Sequence, residues 1–290
     1  MPYTILIALL LMVTVIGFFH LLIRAGLRAP RIREQNTPLR YGLLYREVSI
    51  QTSNGKQLFG WFIAASGDTA APAVAILHGW GGNAEMMLPL AAPFHSAGYA
   101  VLLFDARNHG RSDSDSFSSM PRFAEDMEHA LDWLALQPGV DAERIAVLGH
   151  SVGAAAALLA ASRSKVSAVI SIASFSHPAH MMRRLLASNH VPYVPLGWYV
   201  LRYVQRVIGH RFDNIAPCNT IRKISCRVLL VHGADDTTVP VEEAKSIYAN
   251  RSGDHVQLLT LPGEHDSVDE LVRHADKLTA FLGKAWGKVN

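Results

Sequence analysis

The stretch that decides the fold runs from residue 145 to residue 157 and reads Ile145-Ala146-Val147-Leu148-Gly149-His150-Ser151-Val152-Gly153-Ala154-Ala155-Ala156-Ala157. It begins as an apolar run that ends at Gly149, which is typical of a buried strand, and continues as an alanine-rich run, which is typical of a helix. A strand that turns directly into a helix leaves no room for side chains beside the corner, so the glycines flanking Ser151 are needed. The pattern predicts that Ser151 lies on a tight turn, with its hydroxyl exposed at the carboxyl edge of a sheet.

Strand-like and helix-like segments alternate along most of the remaining chain. Two strand-like runs, 47–52 and 57–64, are joined by Ser53-Asn54-Gly55-Lys56, and Asn-Gly in this position predicts an antiparallel hairpin. The later strands are predicted at 73–77, 100–105, 144–148, 166–172, 227–231 and 256–261. The helices that alternate with them are predicted at 84–97, 121–137, 151–163, 241–250 and 268–285. This alternation predicts an α/β fold, with a mostly parallel sheet covered by helices on both faces.

One segment, residues 174–225, interrupts the alternation and is too long for an ordinary connection. It contains two helix-like stretches, 178–189 and 196–208, separated by Pro192 and Pro195. We therefore predict an inserted helical cap over the carboxyl edge of the sheet.

The side chains of the predicted cap suggest what it could contact. Met181, Met182 and Trp198 are candidate substrate-binding residues for a hydrophobic acyl group, although ordinary packing of the cap onto the core accounts for the same residues. The cap is also rich in arginine, at positions 183, 184, 202, 206 and 211. These arginines could face anionic lipid headgroups, or they could form a solvated helix face.

The N-terminal segment is the second strong signal. Residues 1–23 carry no charged side chain, and about 20 apolar residues at 1.5 Å each cross a bilayer's hydrocarbon core of roughly 30 Å. A signal peptide is the alternative, but it normally has basic residues before its apolar run, whereas here the basic residues follow it, at positions 24, 28, 31 and 33. We predict a transmembrane helix at 1–23, a linker at 24–44 and a globular domain at 45–290. By the positive-inside rule, that domain is cytoplasmic.

Composition excludes several classes of function. The chain has 290 residues, half of them hydrophobic, so it can bury a large core, and its net charge of +3 is too small to indicate nucleic-acid binding. Cys218 and Cys226 have no metal-ligand spacing and are expected to be free thiols, with a disulfide between them left open. Because there is neither a metal-ligand cluster nor a phosphate-binding glycine loop, no metal and no cofactor is expected.

Ser151 would need a base and an acid to become a nucleophile. In parallel sheets, functional groups gather at the carboxyl ends of the strands, and His265 follows the predicted strand 256–261 after the short connection Pro262-Gly263-Glu264. His255 precedes that strand, and His274 lies within the last predicted helix, so His265 is the expected base. Two aspartates, Asp235 and Asp236, follow strand 227–231, and by position either could be the acid, or a helix cap instead.

An acyl intermediate also needs donors for its oxyanion. The Val152 amide at the start of the helix is one candidate, and the Trp80 amide in His78-Gly79-Trp80-Gly81-Gly82 is the other. The alternative for this loop is a flexible turn with a core tryptophan. His78 itself is expected to be structural.

Together these motifs resemble the α/β-hydrolase superfamily over about residues 45–285. The order Ser151, Asp236, His265 is similar to the family's order of nucleophile, acid and base, and the loop 78–82 is similar to its oxyanion loop. Asp105-Ala106-Arg107-Asn108-His109-Gly110-Arg111-Ser112 resembles a turn of many members and is expected to be structural. The run from His232 to Pro240 resembles the branch of serine aminopeptidase-like and monoacylglycerol-lipase-like hydrolases, and this favours Asp236 over Asp235.

The resemblance implies acyl transfer to water at Ser151. The expected function is a membrane-anchored serine hydrolase that cleaves a carboxylic ester, with a lipid or acyl ester as the suggested small-molecule substrate. A peptidase, a thioesterase or an acyltransferase could use the same residues, and a non-catalytic membrane binding protein could keep the fold alone. A dehalogenase is disfavoured because it needs a carboxylate at position 151. Nothing in the sequence indicates the oligomeric state.

Overall fold

A computed structural model of the protein describes residues 2–67 and 69–287. Within these ranges eight strands form one sheet, in the order β1-β2-β4-β3-β5-β6-β7-β8. The strands are β1 (Arg46–Thr52), β2 (Lys56–Ile63), β3 (Ala71–Leu77), β4 (Ala100–Phe104), β5 (Val140–His150), β6 (Ala168–Ile172), β7 (Arg227–Gly233) and β8 (Val256–Leu261). β2 is antiparallel to both of its neighbours, and every other neighbouring pair is parallel.

Helices fill most of the connections between the strands. The α-helices are α1 (Pro2–Gly26), α2 (Ala91–Ser96), α3 (Met120–Ala135), α4 (Val152–Ala161), α5 (Pro178–Ser188), α6 (Trp198–Ile208), α7 (Phe212–Ile215), α8 (Pro217–Thr220), α9 (Val241–Ala249), α10 (Val268–Arg273) and α11 (Ala275–Ala285). Short 3-10 turns occur at Pro38–Tyr41, Ser53–Gly55, Ala84–Leu90 and Ile221–Lys223, and a π-turn occurs at Tyr193–Gly197. The predicted α/β fold with a mostly parallel sheet is therefore confirmed.

Most predicted boundaries are within two residues of the observed ones, and three elements differ by more than that. The strand predicted at 144–148 begins earlier, because Val140 also pairs with β3 across an irregularity in register. The helix predicted at 84–97 is a 3-10 segment followed by the short α2, since Pro89 and Pro93 supply no amide hydrogen to an α-helix there. The last predicted helix is split at His274 into α10 and α11.

The predicted hairpin opens the sheet. β1 and β2 pair antiparallel up to Thr52 and Lys56, and the turn between them holds Asn54 and Gly55 at φ of 62° and 65°. Asparagine and glycine tolerate this left-handed backbone, so the Asn-Gly pair sets the strand register.

The core has two layers, one on each face of the sheet. Along β5 the side chains alternate, so that Val147 packs in one layer and Leu148 in the other. α3 and α4 cover the first face, and α2 and α11 cover the second. Because α4 is buried along its whole length, it holds the turn before it against the centre of the sheet.

Helices α5 to α8 lie between β6 and β7, within the predicted insertion. From α6, Leu201 and Val204 are buried in the same apolar cluster as Val152 at the start of α4. α5 is held to α9 by Arg184, whose Nη1 lies 2.5 Å from a Glu243 carboxylate oxygen. The insertion therefore packs onto the helical layer that covers the first face of the sheet.

Helix α1 is apolar and long enough to cross a membrane, by length and composition, from Tyr3 to Gly26; a signal sequence has the same properties. Its last turns pack against α6, with His20 Nε2 lying 2.6 Å from the Tyr199 hydroxyl. Residue 1 of the predicted span, and residues 68 and 288–290 of the predicted domain, lie outside the described residues.

The segment predicted as a linker lies against the core. Arg31 donates to the Ser112 carbonyl oxygen at 2.8 Å, and Asn83 donates to the Ile32 carbonyl oxygen at 3.0 Å. The Gln35 amide donates to Glu85 at 2.6 Å. This segment, residues 30–36, crosses the loops that follow β3 and β4, and we call it the strap.

Candidate active site

Ser151 occupies a strained turn between β5 and α4. Its backbone has φ of 54° and ψ of −117°, a conformation that a non-glycine residue adopts only when its surroundings enforce it. A Cβ at Gly149 would lie 2.2 Å from the Gly153 carbonyl oxygen, and a Cβ at Gly153 would lie 2.3 Å from the His78 carbonyl oxygen. Only glycine fits at these two positions, so the turn predicted from the sequence is present.

The three polar residues predicted to act together lie in one hydrogen-bonded row. His265 Nε2 lies 3.0 Å from Ser151 Oγ, and His265 Nδ1 lies 2.7 Å from Asp236 Oδ2. An ionised carboxylate only accepts hydrogen bonds, which assigns the imidazole proton to Nδ1 and leaves Nε2 to accept from the serine hydroxyl. This arrangement can remove a proton from Ser151.

The environment of the two neighbouring aspartates separates them. Asp236 is buried, and its Oδ1 accepts from the amides of Thr238 at 2.9 Å and Val239 at 2.7 Å. Asp235 is exposed, and its carboxylate accepts from the Gly263 amide at 3.2 Å. Of the two alternatives, only Asp236 contacts the imidazole of His265.

Two further histidines support this row and were not assigned this role from the sequence. His232 is buried, with Nε2 2.6 Å from the Val239 carbonyl oxygen and 3.3 Å from Asp236 Oδ2. Burial lowers the pKa of His232, so the ring is neutral near pH 7. His150 is also buried, its pKa is likewise lowered by burial, and its Nε2 lies 2.9 Å from the His265 carbonyl oxygen. Their positions within the Asp236 and Ser151 motifs were the only sequence signal.

The loop after β3 lies directly beside Ser151. A Cβ at Gly79 would lie 3.2 Å from Ser151 Cβ, so a side chain at position 79 would crowd Ser151. Within the described residues, no protein acceptor is found for the amides of Trp80 and Val152. Both amides are therefore available to a ligand. Trp80 is 41% exposed and is not the core tryptophan of the alternative interpretation.

His78 holds this loop in place. Its Nδ1 lies 2.7 Å from the Gly79 carbonyl oxygen, and its Nε2 accepts from the Ala106 amide at 3.1 Å. Burial lowers the pKa of His78 to about 3, so the ring is neutral and links two loops. These contacts agree with its expected structural role.

The predicted substrate-binding residues lie on the insertion. Met181 and Met182 are partly buried against the core, whereas Trp198 is 52% exposed. The guanidinium carbon of Arg202 lies over the Trp198 ring, 5.7 Å from the ring centroid. Contact of these side chains with a substrate stays a prediction.

One group of potential metal ligands is present among the described residues. Ligand atoms of His150, His265 and Asp266 lie within 4.8 Å of one another. Both histidines already bond to protein groups, so the arrangement favours the hydrogen-bonded row over a metal. Cys218 and Cys226 are free thiols, and burial raises the pKa of Cys226 to about 11, which makes it a poor nucleophile.

Comparison with known proteins agrees with this fold. Residues 72–190 match the family model described as the alpha/beta hydrolase fold. The protein Rv2307c of Mycobacterium tuberculosis is 28% identical over 227 residues, which are 78% of this chain and 74% of that protein. Thiohydrolase aneE of Aspergillus aculeatus is 36% identical over 137 residues, which are 44% of this chain and 41% of that protein.

A solved structure extends the match to most of the chain. The esterase Pf2001 of Pyrococcus furiosus superposes with a TM-score of 0.71 at 24% identity, covering 88% of this chain and 98% of that one. The chain therefore has the α/β-hydrolase fold. The narrower resemblance to serine aminopeptidase-like and monoacylglycerol-lipase-like hydrolases stays a prediction.

Proposed function

We propose that this chain is a serine hydrolase that cleaves a carboxylic ester through an acyl-enzyme. One observation carries the proposal: the row of Asp236, His265 and Ser151, joined by contacts of 2.7 and 3.0 Å. The strained backbone of Ser151 adds support, because strain of this kind persists where a side chain must be presented to a reactant.

The reaction follows from the hydrogen-bond directions. His265 Nε2 takes the hydroxyl proton as Ser151 Oγ attacks the ester carbonyl, and the carboxylate of Asp236 stabilises the imidazolium that forms. The amides of Trp80 and Val152 donate to the oxyanion. The imidazolium returns its proton to the departing alkoxide, which leaves as an alcohol. Water then attacks the acyl group by the same route and frees Ser151.

We also propose that α1 anchors the enzyme in a membrane as a single-pass helix, with the catalytic domain in the cytoplasm. Its apolar composition allows a span, and the arginines that follow it favour a cytoplasmic domain. The ring of His20 stacks on that of Tyr203 at 4.1 Å, and Arg24 Nε donates to the Tyr203 hydroxyl at 3.1 Å. These contacts support a retained anchor, because a cleaved signal peptide would not pack against the mature domain.

A thioester is the second candidate substrate. It is favoured by aneE, a relative that is named a thiohydrolase and that matches 44% of this chain. The same row of residues would cleave a thioester or transfer its acyl group, since the acyl-enzyme is common to these reactions. Exposed apolar residues of the insertion, including Val194, Leu196 and Trp198, suit a long acyl chain in either case.

Labelling with a fluorophosphonate probe tests the serine hydrolase. The wild-type protein should be labelled, and Ser151→Ala should lose all labelling while keeping its thermal midpoint. Ser171→Ala is the matched control, because Ser171 lies buried in the neighbouring β6 and its hydroxyl has no hydrogen-bond partner among the described residues. Labelling of the Ser151→Ala protein at the wild-type rate would overturn the proposal.

Substrate class is tested on the purified protein with matched acyl chains. Esters, thioesters and peptides of equal acyl length should be compared by kcat/KM, followed by esters of increasing length. A rise with chain length is expected for an acyl or lipid ester, and a preference for acetyl groups or short peptides would contradict that substrate.

A further inference from the structure

A cleft of about 880 Å³ lies between the end of α1, the loop before α3, and α6. Three arginines line it: Arg24 and Arg28 from the N-terminal segment, and Arg206 from α6. Tyr203 and Ser116 add hydroxyl groups to the lining. We call this feature the α1–α6 cleft.

The charges in this cleft are not neutralised by the protein. Among the described residues, no carboxylate forms an ion pair with Arg24, Arg28 or Arg206. Asp115, which precedes the lining residue Ser116 in the sequence, is already paired with Arg107 and Arg122. Uncompensated guanidinium groups that converge on one cavity are suited to an oxyanion with several acceptor atoms, above all a phosphate.

The basic lining continues beyond this cleft. A second cleft of about 510 Å³ shares Arg206 and adds Arg202 and Arg211. The shared wall makes one continuous basic surface along α6, which would attract an anion toward the α1–α6 cleft.

The walls of the cleft are fixed by contacts outside it. His20 bonds to Tyr199 and stacks on Tyr203, which holds α1 against α6. On the other side, the Ser118 amide donates to the Leu27 carbonyl oxygen at 2.9 Å. The cleft is therefore a formed site between three chain segments, and the arginines are not isolated surface residues.

The cleft also lies where a lipid headgroup would be. The apolar part of α1 ends at Ile23, so Arg24 and Arg28 are its first charged residues toward the domain. On α6, the Tyr199 ring lies against the Phe19 ring, with their centroids 6.0 Å apart, and the neighbouring Trp198 is exposed. Aromatic residues next to arginines at the end of an apolar span are typical of the membrane interface.

We propose that the α1–α6 cleft binds the phosphate of an anionic phospholipid headgroup. The proposal rests on the proposed membrane span of α1, and it is independent of the chemistry at Ser151. A free phosphate monoester offers the same oxyanion, so the test must separate the two sources.

The test uses the full chain in lipid nanodiscs and the variant Arg24→Gln/Arg28→Gln/Arg206→Gln. Lipids that stay bound after transfer to detergent are identified by native mass spectrometry. From discs that mix phosphatidic acid with phosphatidylcholine, the wild-type protein should retain phosphatidic acid selectively. The triple variant should retain it about tenfold less, as expected when charge-assisted hydrogen bonds are removed.

A charge-matched control keeps the net charge equal. Arg33, Arg40 and Arg227 are exposed and lie outside the cleft, so their triple replacement by Gln should leave retention unchanged. Replacement of Arg24, Arg28 and Arg206 by Lys, which preserves charge but not the guanidinium fork, should give intermediate retention. Equal retention by the wild-type protein and the cleft variant would overturn the proposal.

Two further arms separate the possible failures. Inorganic phosphate added to the detergent sample should displace the lipid only weakly. A cleft that is saturated by inorganic phosphate and shows no lipid selectivity would be a site for soluble phosphate. That result would overturn the lipid assignment. Extraction of the wild-type chain from membranes by alkaline carbonate would overturn the span and the lipid site together. Fluorophosphonate labelling of every variant reports on Ser151 alone. A wild-type protein that is not labelled would therefore overturn only the proposed hydrolase activity.

Discussion

His150 Nε2 lies 2.9 Å from the carbonyl oxygen of His265, so the residue before Ser151 holds the backbone of His265. A backbone carbonyl only accepts, which places the His150 proton on Nε2. Because burial lowers the pKa of His150, this is the neutral tautomer, and it adds no second positive charge beside His265. The contact positions the imidazole of His265 over Ser151.

Replacing His150 should therefore lower kcat more than it changes KM. We expect His150→Ala to reduce kcat about 10- to 100-fold, since small misplacements of a catalytic group are costly. His150→Gln, whose amide can still donate to the carbonyl oxygen, should recover part of that loss. Steady-state kinetics of both variants with one ester decide the matter, and an unchanged kcat in His150→Ala would contradict the positioning role.

The neighbouring aspartates provide a matched pair of variants. Asp236→Asn should lower kcat by about 10³–10⁴-fold, because the amide can no longer hold the imidazole in the required tautomer. Asp235→Asn should stay within about threefold of the wild-type kcat, since this exposed side chain only bonds a backbone amide. Ester hydrolysis measures both, and equal losses in the two variants would contradict the assignment of Asp236 as the acid.

The turn at Ser151 should tolerate no side chain at Gly153. The new Cβ of Gly153→Ala would meet the carbonyl oxygens of His78 at 2.3 Å and Leu77 at 2.8 Å, and backbone atoms cannot rotate away. We expect a loss of more than about 2 kcal/mol in the free energy of unfolding, together with loss of fluorophosphonate labelling. Gly26→Ala is the control, because a Cβ there meets open space. Chemical denaturation that shows no difference between these variants would contradict the packing argument.

Two buried histidines should make the protein sensitive to acid. Burial lowers the pKa of His78 to about 3 and, with a smaller effect of Arg31, that of His109 to about 4. In the unfolded chain both histidines bind a proton near pH 6.5, whereas in the folded protein they do so only at the lower pKa values. The free energy of unfolding is therefore highest above pH 6.5 and decreases as the pH falls toward 4. Between pH 7 and pH 5 each histidine should cost about 2 kcal/mol of unfolding free energy.

The His109→Asn variant isolates one of these contributions. Its side-chain amide can replace the His109 Nδ1 donor, which lies 2.9 Å from the Arg107 carbonyl oxygen, and it does not titrate. The loss of stability between pH 7 and pH 5 should shrink by about 2 kcal/mol, measured by urea denaturation at both pH values. His190→Asn changes an exposed histidine and should leave the loss unchanged.

A feature of this molecule was predictable from the sequence when the residues that determine it lie close together along the chain. The strands and the turn at Ser151 follow from local patterns, since glycines at 149 and 153 exclude other geometries. His265 was predictable because it follows a strand after a short connection. Position along the chain did not separate Asp235 from Asp236, because both follow one strand; only the resemblance favoured Asp236, and the folded turn directs its carboxylate inward. The strap was not predictable, because its contacts join residues 50 or more positions apart.

Glu34 of the strap lies beside Asp105, which follows β4. A Cβ at Gly110 would lie 2.0 Å from Asp105 Oδ2 and 2.2 Å from Glu34 Oε1, so the two carboxyl groups are close enough to repel each other when both are ionised. Asp105 also accepts from the amides of Ala84 at 2.7 Å and Arg111 at 2.8 Å. Burial, together with Glu34, raises the pKa of Asp105 well above its usual value. The strap is therefore docked most firmly while Asp105 is protonated, and repulsion from Glu34 weakens its docking as the pH rises through the raised pKa of Asp105.

Raising the pH should therefore release the strap from the loops after β3 and β4. In Glu34→Gln the uncharged amide can donate to ionised Asp105, so the pKa of Asp105 should fall and the strap should stay docked at high pH. Hydrogen exchange of residues 30–36, corrected for the intrinsic rate at each pH, measures this docking. Protection should decline with rising pH in the wild-type protein and in Glu143→Gln, a control at an exposed carboxylate, but not in Glu34→Gln.

Because Gly81 of the loop 78–82 packs against Pro30 of the strap, undocking should also slow ester hydrolysis in the same pH range. A strap that stays equally protected at every pH in the wild-type protein would show that the two carboxyl groups do not control it.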